Sequence, residues 1–104
     1  MTKMIVNPGV CGFICLIEAE QGKKYNAAVR LQSPCKQVSK FAEKISEVDF
    51  MEIMRAPIGQ NKVVHAAAVC KLHQSCVIPT AVIKAVEAEL GLALKKNISI
   101  KYEE

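Results

Sequence analysis

The stretch FICLIEAEQGKKYNAAVRL, Phe13 to Leu31, decides the fold. Phe13, Cys15, Ile17 and Ala19 alternate with Ile14, Leu16, Glu18 and Glu20. A period of two puts alternate side chains on opposite faces of a strand. Gln21-Gly22-Lys23-Lys24 then reads as a hairpin turn. Beyond it, Tyr25, Ala27, Val29 and Leu31 alternate with Asn26, Ala28 and Arg30. The stretch is therefore an antiparallel strand pair with one apolar face, and that face needs a cover.

The cover follows in sequence. Ser33-Pro34 reads as an N-cap and first helical residue, with Val38, Phe41, Ala42 and Ile45 recurring at helical spacing behind them. Asp49 and Glu52 form a capping-box pattern for a short helix through Met54. Ala56 to Gln60 reads as a loop. Asn61 caps a third helix from Lys62 to about Lys71, apolar nearly all round and expected to be buried. His73 to Ile78 is a connection to a fourth helix, which starts at Pro79 and ends before Gly91, a natural C-cap. Ile98, Ile100 and Tyr102 alternate with Ser99 and Lys101, which predicts a closing strand. The order β-β-α-α-α-α-β predicts an α+β fold, a small antiparallel sheet covered by helices on one face, in a single domain over 1–104.

Composition narrows the function classes. With 104 residues and no Trp, the chain supports one mostly aliphatic core. A net charge of +4, with no aromatic residues interleaved in a basic stripe, argues against a nucleic-acid partner. No stretch is long and apolar enough to span a membrane, and Asn7-Pro8-Gly9 interrupts any apolar leader, so a cytoplasmic location is expected. Gly is too sparse for a phosphate cradle, and neither a catalytic triad order nor a paired-carboxylate pattern is present, so a binding role is favoured over catalysis.

Five cysteines, an odd number, argue against a fully paired disulfide framework and towards thiol or metal chemistry. Cys11, Cys35, Cys70 and Cys76 each fall at the end of a predicted element, where ligands are commonly presented. Cys70, His73 and Cys76 recur at three-residue steps. Thiolate and imidazole are the ligands that zinc and iron–sulfur clusters take. Cys35 stands at a helix start, where the helix dipole favours a thiolate. Cys15 falls within a strand on the Phe13/Ile17 face and reads as core. His65 lies inside the apolar third helix and reads as a core or edge histidine.

These residues carry a resemblance. Cys11-Gly12, the strand pair, Cys35 at a helix start, and Lys71-Leu72-His73-Gln74-Ser75-Cys76 before a helix with Ala81, Ile83, Lys84 and Ala85 resemble the U-type iron–sulfur cluster assembly scaffolds (NifU N-terminal-like). The cysteine separations of 24 and 41 positions, Cys11 to Cys35 and Cys35 to Cys76, are similar to that layout. The chain differs at Phe13, where those proteins have Asp, and at His73, which in them directly precedes the last Cys. It is also similar to small uncharacterised cysteine-containing proteins of anaerobic microbes, which share the Asn-Pro-Gly-x-Cys-Gly-Phe start.

The expectation is a small metal-binding protein that holds an iron–sulfur cluster or zinc through Cys11, Cys35 and Cys76, with Cys70 or His73 as the fourth ligand. In the cluster case it acts as a scaffold or carrier with protein partners for cluster or sulfur transfer. The alternatives are a structural zinc module and a thiol or persulfide transfer protein with Cys35 as nucleophile. The apolar second face of the first strand, at Ile14 and Leu16, is compatible with a homodimer.

Overall fold

A computed structural model describes residues 1–54 and 57–103. The elements are β1 (Thr2–Val6), β2 (Cys15–Gln21), β3 (Asn26–Gln32), α1 (Lys36–Lys44), β4 (Glu47–Asp49), α2 (Phe50–Met54), α3 (Lys62–Val69) and α4 (Ile78–Glu89). The four strands form one antiparallel sheet in the order β1-β2-β3-β4. The fold is α+β with a small sheet, as expected.

The hairpin read from Phe13 to Leu31 is the centre of that sheet, with Ile17 opposite Leu31 and Ala19 opposite Val29. Cys15, Ile17, Ala19, Ala27 and Val29 point into the core, while Leu16, Glu20, Ala28 and Arg30 are exposed. The turn runs one residue further than the alternation implies, through Tyr25. Gly22 N–H donates to Asn26 O at 2.8 Å, and Lys24 and Tyr25 take left-handed φ values of 63° and 59°. Tyr25 therefore leaves the strand and packs its ring near Phe50, centroids 5.9 Å apart.

The helices cover one face only. Phe41, Ile45, Val63, Val82, Ala85 and Val86 are fully buried against the inward strand residues. The reciprocal capping box at α2 forms, with Met51 N–H donating to Asp49 Oδ1 at 2.8 Å and Asp49 N–H to Glu52 Oε1 at 3.1 Å. Asn61 caps α3 by accepting from Val63 N–H at 2.8 Å. The last turn of α4 closes as a Schellman motif, with Leu92 N–H to Glu87 O at 2.8 Å, Gly91 N–H to Ala88 O at 3.2 Å, and Gly91 at φ +78°.

Several expectations are corrected. The closing strand over Ile98 to Tyr102 does not form, because no neighbouring strand lies beside it among the described residues; its apolar side chains are exposed. Two unanticipated strands form instead, β1 at the N-terminus and the three-residue β4. The first helix begins after Cys35 rather than at Pro34: Cys35 is the N-cap, and the Ser33 hydroxyl accepts from Cys35 N–H at 3.2 Å. The third helix is buried on one face only; Val63, Ala66 and Ala67 are inside, whereas His65 and Val69 are exposed. Of the loop expected over Ala56 to Gln60, Ala56 lies outside the described residues and Ile58–Gln60 is a 3-10 turn.

Candidate functional site

The sheet has two ends, and the chain distributes its chemistry unequally between them. One end is pinned by Glu89, the last residue of α4. Its carboxylate accepts from the Thr2 hydroxyl at 2.8 Å and from Gln21 N–H at 2.9 Å. Those residues open β1 and close β2. The amino-terminal end of α4 must then lie at the opposite pole, because a helix of 12 residues spans about 18 Å.

That opposite pole is where β1 ends, β2 begins, β3 ends and α1 begins, since Val6 pairs with Cys15 and Leu16 with Gln32. Cys11 lies in the β1–β2 connection, in a turn closed by Gly12 N–H to Gly9 O at 2.9 Å. Gly9 and Gly12 hold φ values of +89° and +69°, conformations that glycine adopts at little cost. Cys15 opens β2 and Cys35 caps α1. Cys76 precedes α4, its N–H bonded to His73 O at 3.0 Å.

Cys70 reaches the same pole through α3. It is the C-cap of that helix, and Lys71 follows at φ +58°. Leu72 N–H to Ala67 O and Lys71 N–H to Ala68 O, both 3.1 Å, complete a second Schellman turn with Lys where Gly is usual. Gln37 on α1 joins the two segments: its amide donates to Lys71 O at 3.3 Å, and the Cys35 thiol points at its carbonyl oxygen, 3.9 Å away.

All five cysteines thus gather at one pole. Cys11 is exposed, Cys35, Cys70 and Cys76 are half-buried, and Cys15 is buried. His73 is exposed at the same pole; His65 is exposed on α3. Burial pushes the Cys15 thiol up to about 11; a backbone hydrogen bond from Gln32 acts against this, and Cys76 and Cys35 push it further up. Cys15 is thus core, as its alternation indicates, and also near enough to Cys76 and Cys35 for their charges to act on it. That second property has no local signal in the sequence, because it depends on α4 folding back.

Among the described residues, the carboxylates lie elsewhere. Glu18 and Glu20 engage Arg30 on the uncovered face of the sheet, Glu47 and Asp49 are on β4, and Glu89 is at the opposite pole. The donors at the cysteine pole are sulfur and imidazole, a set that suits soft or borderline metals and disfavours Ca²⁺ and Mg²⁺. Among the described residues, no three His, Cys, Asp or Glu side chains stand together in a preformed metal-binding arrangement. The pole brings the cysteines to one end of the fold without closing them around a common centre.

Among the described residues, no helix is long and apolar enough to cross a membrane. None of the curated proteins and none of the solved structures matches the chain. A family model matches residues 2–102, nearly the whole length, and the chain belongs to that family, a family of unknown function (DUF6951).

Proposed function

We propose that the cysteine pole binds a soft metal centre, an iron–sulfur cluster or a zinc ion, with Cys11, Cys35 and Cys76 as ligands and Cys70 or His73 completing the set. The observation that carries this reading is the convergence of cysteines from the β1–β2 loop, α1, α3 and the start of α4 on one end of the fold, away from the carboxylates. Thiolates at such a site hold the centre, and the half-buried Cys35, Cys70 and Cys76 would shield one side of it from water. Binding would draw the segments together, fastening the starts of α1 and α4 to the end of α3. The exposed Cys11 and His73 suit ligand exchange with a protein partner, the step a cluster carrier needs. The likeness to U-type scaffolds supports the same reading.

A second reading rests on the position of Cys35 as N-cap of α1. There the thiolate would attack the outer sulfur of a partner's persulfide. Cys35 would become the persulfide, and the partner thiolate would leave. The chemistry needs a single reactive cysteine, whereas the metal reading needs the cysteines acting together.

Purification without oxygen, followed by iron, acid-labile sulfide, zinc and visible-absorption measurements, separates these. The metal reading expects bound metal in the wild type and its loss in both Cys35→Ser and Cys76→Ser. Protein that carries no metal and takes up none on reconstitution with iron and sulfide or with zinc overturns it. A chelator that removes the metal and lowers the melting temperature indicates a structural centre; removal with no thermal change indicates a labile one.

A further inference from the structure

We propose that the carboxy-terminal arm, Ile98 to Tyr102, adds as a fifth strand along β1 of a second copy of this chain, giving an arm-exchanged homodimer. The arm has the sequence of a strand and the surroundings of none: Ile98, Ile100 and Tyr102 alternate with Ser99 and Lys101, and their exposures are 55 %, 88 % and 102 %. A five-residue segment with one apolar row suits a sheet edge beside an apolar surface, and among the described residues this fold leaves both free on β1.

The strand β1 is an edge of the sheet and is itself five residues long. The other edge, β4, has three residues, and its Glu47 carbonyl already accepts from Lys62 Nζ at 3.0 Å. Beside β1, the uncovered sheet face holds an open hollow of ≈ 640 Å³, lined among others by Ile5, Leu16 and Gln32. Ile5 is 75 % exposed and Leu16 42 %. An exposed edge strand with apolar neighbours is a template for an added strand.

The occupant is a second copy for a geometric reason. After α4 the chain returns past β1, where Ala93, Leu94, Lys95 and Lys96 line a small cavity with Met4, Lys84 and Ala88. That passage lies on the helix side of the sheet, so an arm on the edge must turn its apolar row to the uncovered face. Only Asn97 separates Lys96 from Ile98. Among the described residues the arm pairs with no strand of its own chain, although it follows directly on the segment beside β1. The arm starts beside β1, so two copies set β1 to β1 can each receive the other's arm, the reciprocal contact of a two-fold dimer.

The test is sedimentation velocity on the full chain at about 100 µM, a concentration that populates a micromolar dimer, with reductant present to exclude disulfides through Cys11. The wild type is expected to be a dimer. Ile100→Asp and Ile5→Asp are each expected to weaken it at least about tenfold, with unchanged circular dichroism. In a sample mixed from differently isotope-labelled chains, nuclear Overhauser contacts should connect Ile100 of one chain with Ile5 of the other. A monomeric wild type, a dimer that survives Ile100→Asp, or contacts placing the arm on its own chain overturns the proposal.

Discussion

Lys71 occupies a position that glycine fills in the matching turn of the same molecule, and replacing it measures what that choice costs. Both α3 and α4 end in the same pair of backbone hydrogen bonds, yet the left-handed residue is Lys71 at φ +58° in one and Gly91 at φ +78° in the other. A side chain in the left-handed region costs about 1–2 kcal/mol. Lys71→Gly relieves that strain, while the freer unfolded chain takes back about 0.4–1 kcal/mol. The net expectation is a gain of about 0.5–1 kcal/mol, which for a domain of this size raises the melting temperature by about 3–6 °C. Gly91→Ala supplies the reverse control and should lose about 1 kcal/mol. Thermal and urea denaturation, followed by circular dichroism, report both. The strained residue follows Cys70, and its carbonyl accepts from Gln37, so Lys71→Gly should stabilise the fold while altering metal uptake at the cysteine pole. A Lys71→Gly protein less stable than the wild type would refute the reasoning, because it would mean that the lysine side chain contributes more than its backbone strain costs.

Glu89 ties α4 to β1 and β2. Its carboxyl is held below the usual range, first by the backbone hydrogen bond from Gln21 and then by the Thr2 hydroxyl, the chain amino terminus and Lys95, with burial acting against them. A carboxylate depressed on folding contributes stability above its unfolded value near 4.3, and that contribution is lost as pH falls through the folded one. Between about pH 5 and 3 the wild type should therefore lose stability more steeply than Glu89→Gln, and equal slopes would contradict the role given to the carboxylate. Alkylation at about pH 8 should modify Cys11 first and leave Cys15 unmodified until unfolding, because burial holds the Cys15 thiol near 11; mass mapping of the modified sites checks the order. Phe41→Ala removes a fully buried ring from the helix–sheet interface and should cost about 3–5 kcal/mol in denaturant unfolding.

The parts of this fold that were legible in the sequence are those whose partners are near in the chain. The alternation from Cys15 to Leu31 fixes both the hairpin and its inward face, and Asn61 and Gly91 mark helix ends that form as read. β1 carries a weak signal because Ile5 faces outward on the uncovered side, which blurs the alternation of Thr2, Met4 and Val6. β4 is too short for any periodicity. Ile98 to Tyr102 misleads in the opposite direction: alternation says that a segment is suited to a sheet edge, not that an edge is available in the same chain. The cysteine pole was half legible. Element ends could be read one at a time, and they placed Cys11, Cys35, Cys70 and Cys76 in exposed or half-buried positions. Their meeting at one end depends on Glu89 reaching Thr2 and Gln21, contacts 87 and 68 residues away, which no local pattern encodes.

X-ray absorption at the edge of the metal bound by the anaerobically reconstituted protein counts the donor atoms at the cysteine pole. A thiolate-held centre should show three or four sulfur neighbours at about 2.3 Å, with at most one nitrogen from His73, and fewer sulfurs in Cys35→Ser and Cys76→Ser. A first shell made only of oxygen and nitrogen, or one unchanged by both substitutions, would contradict it.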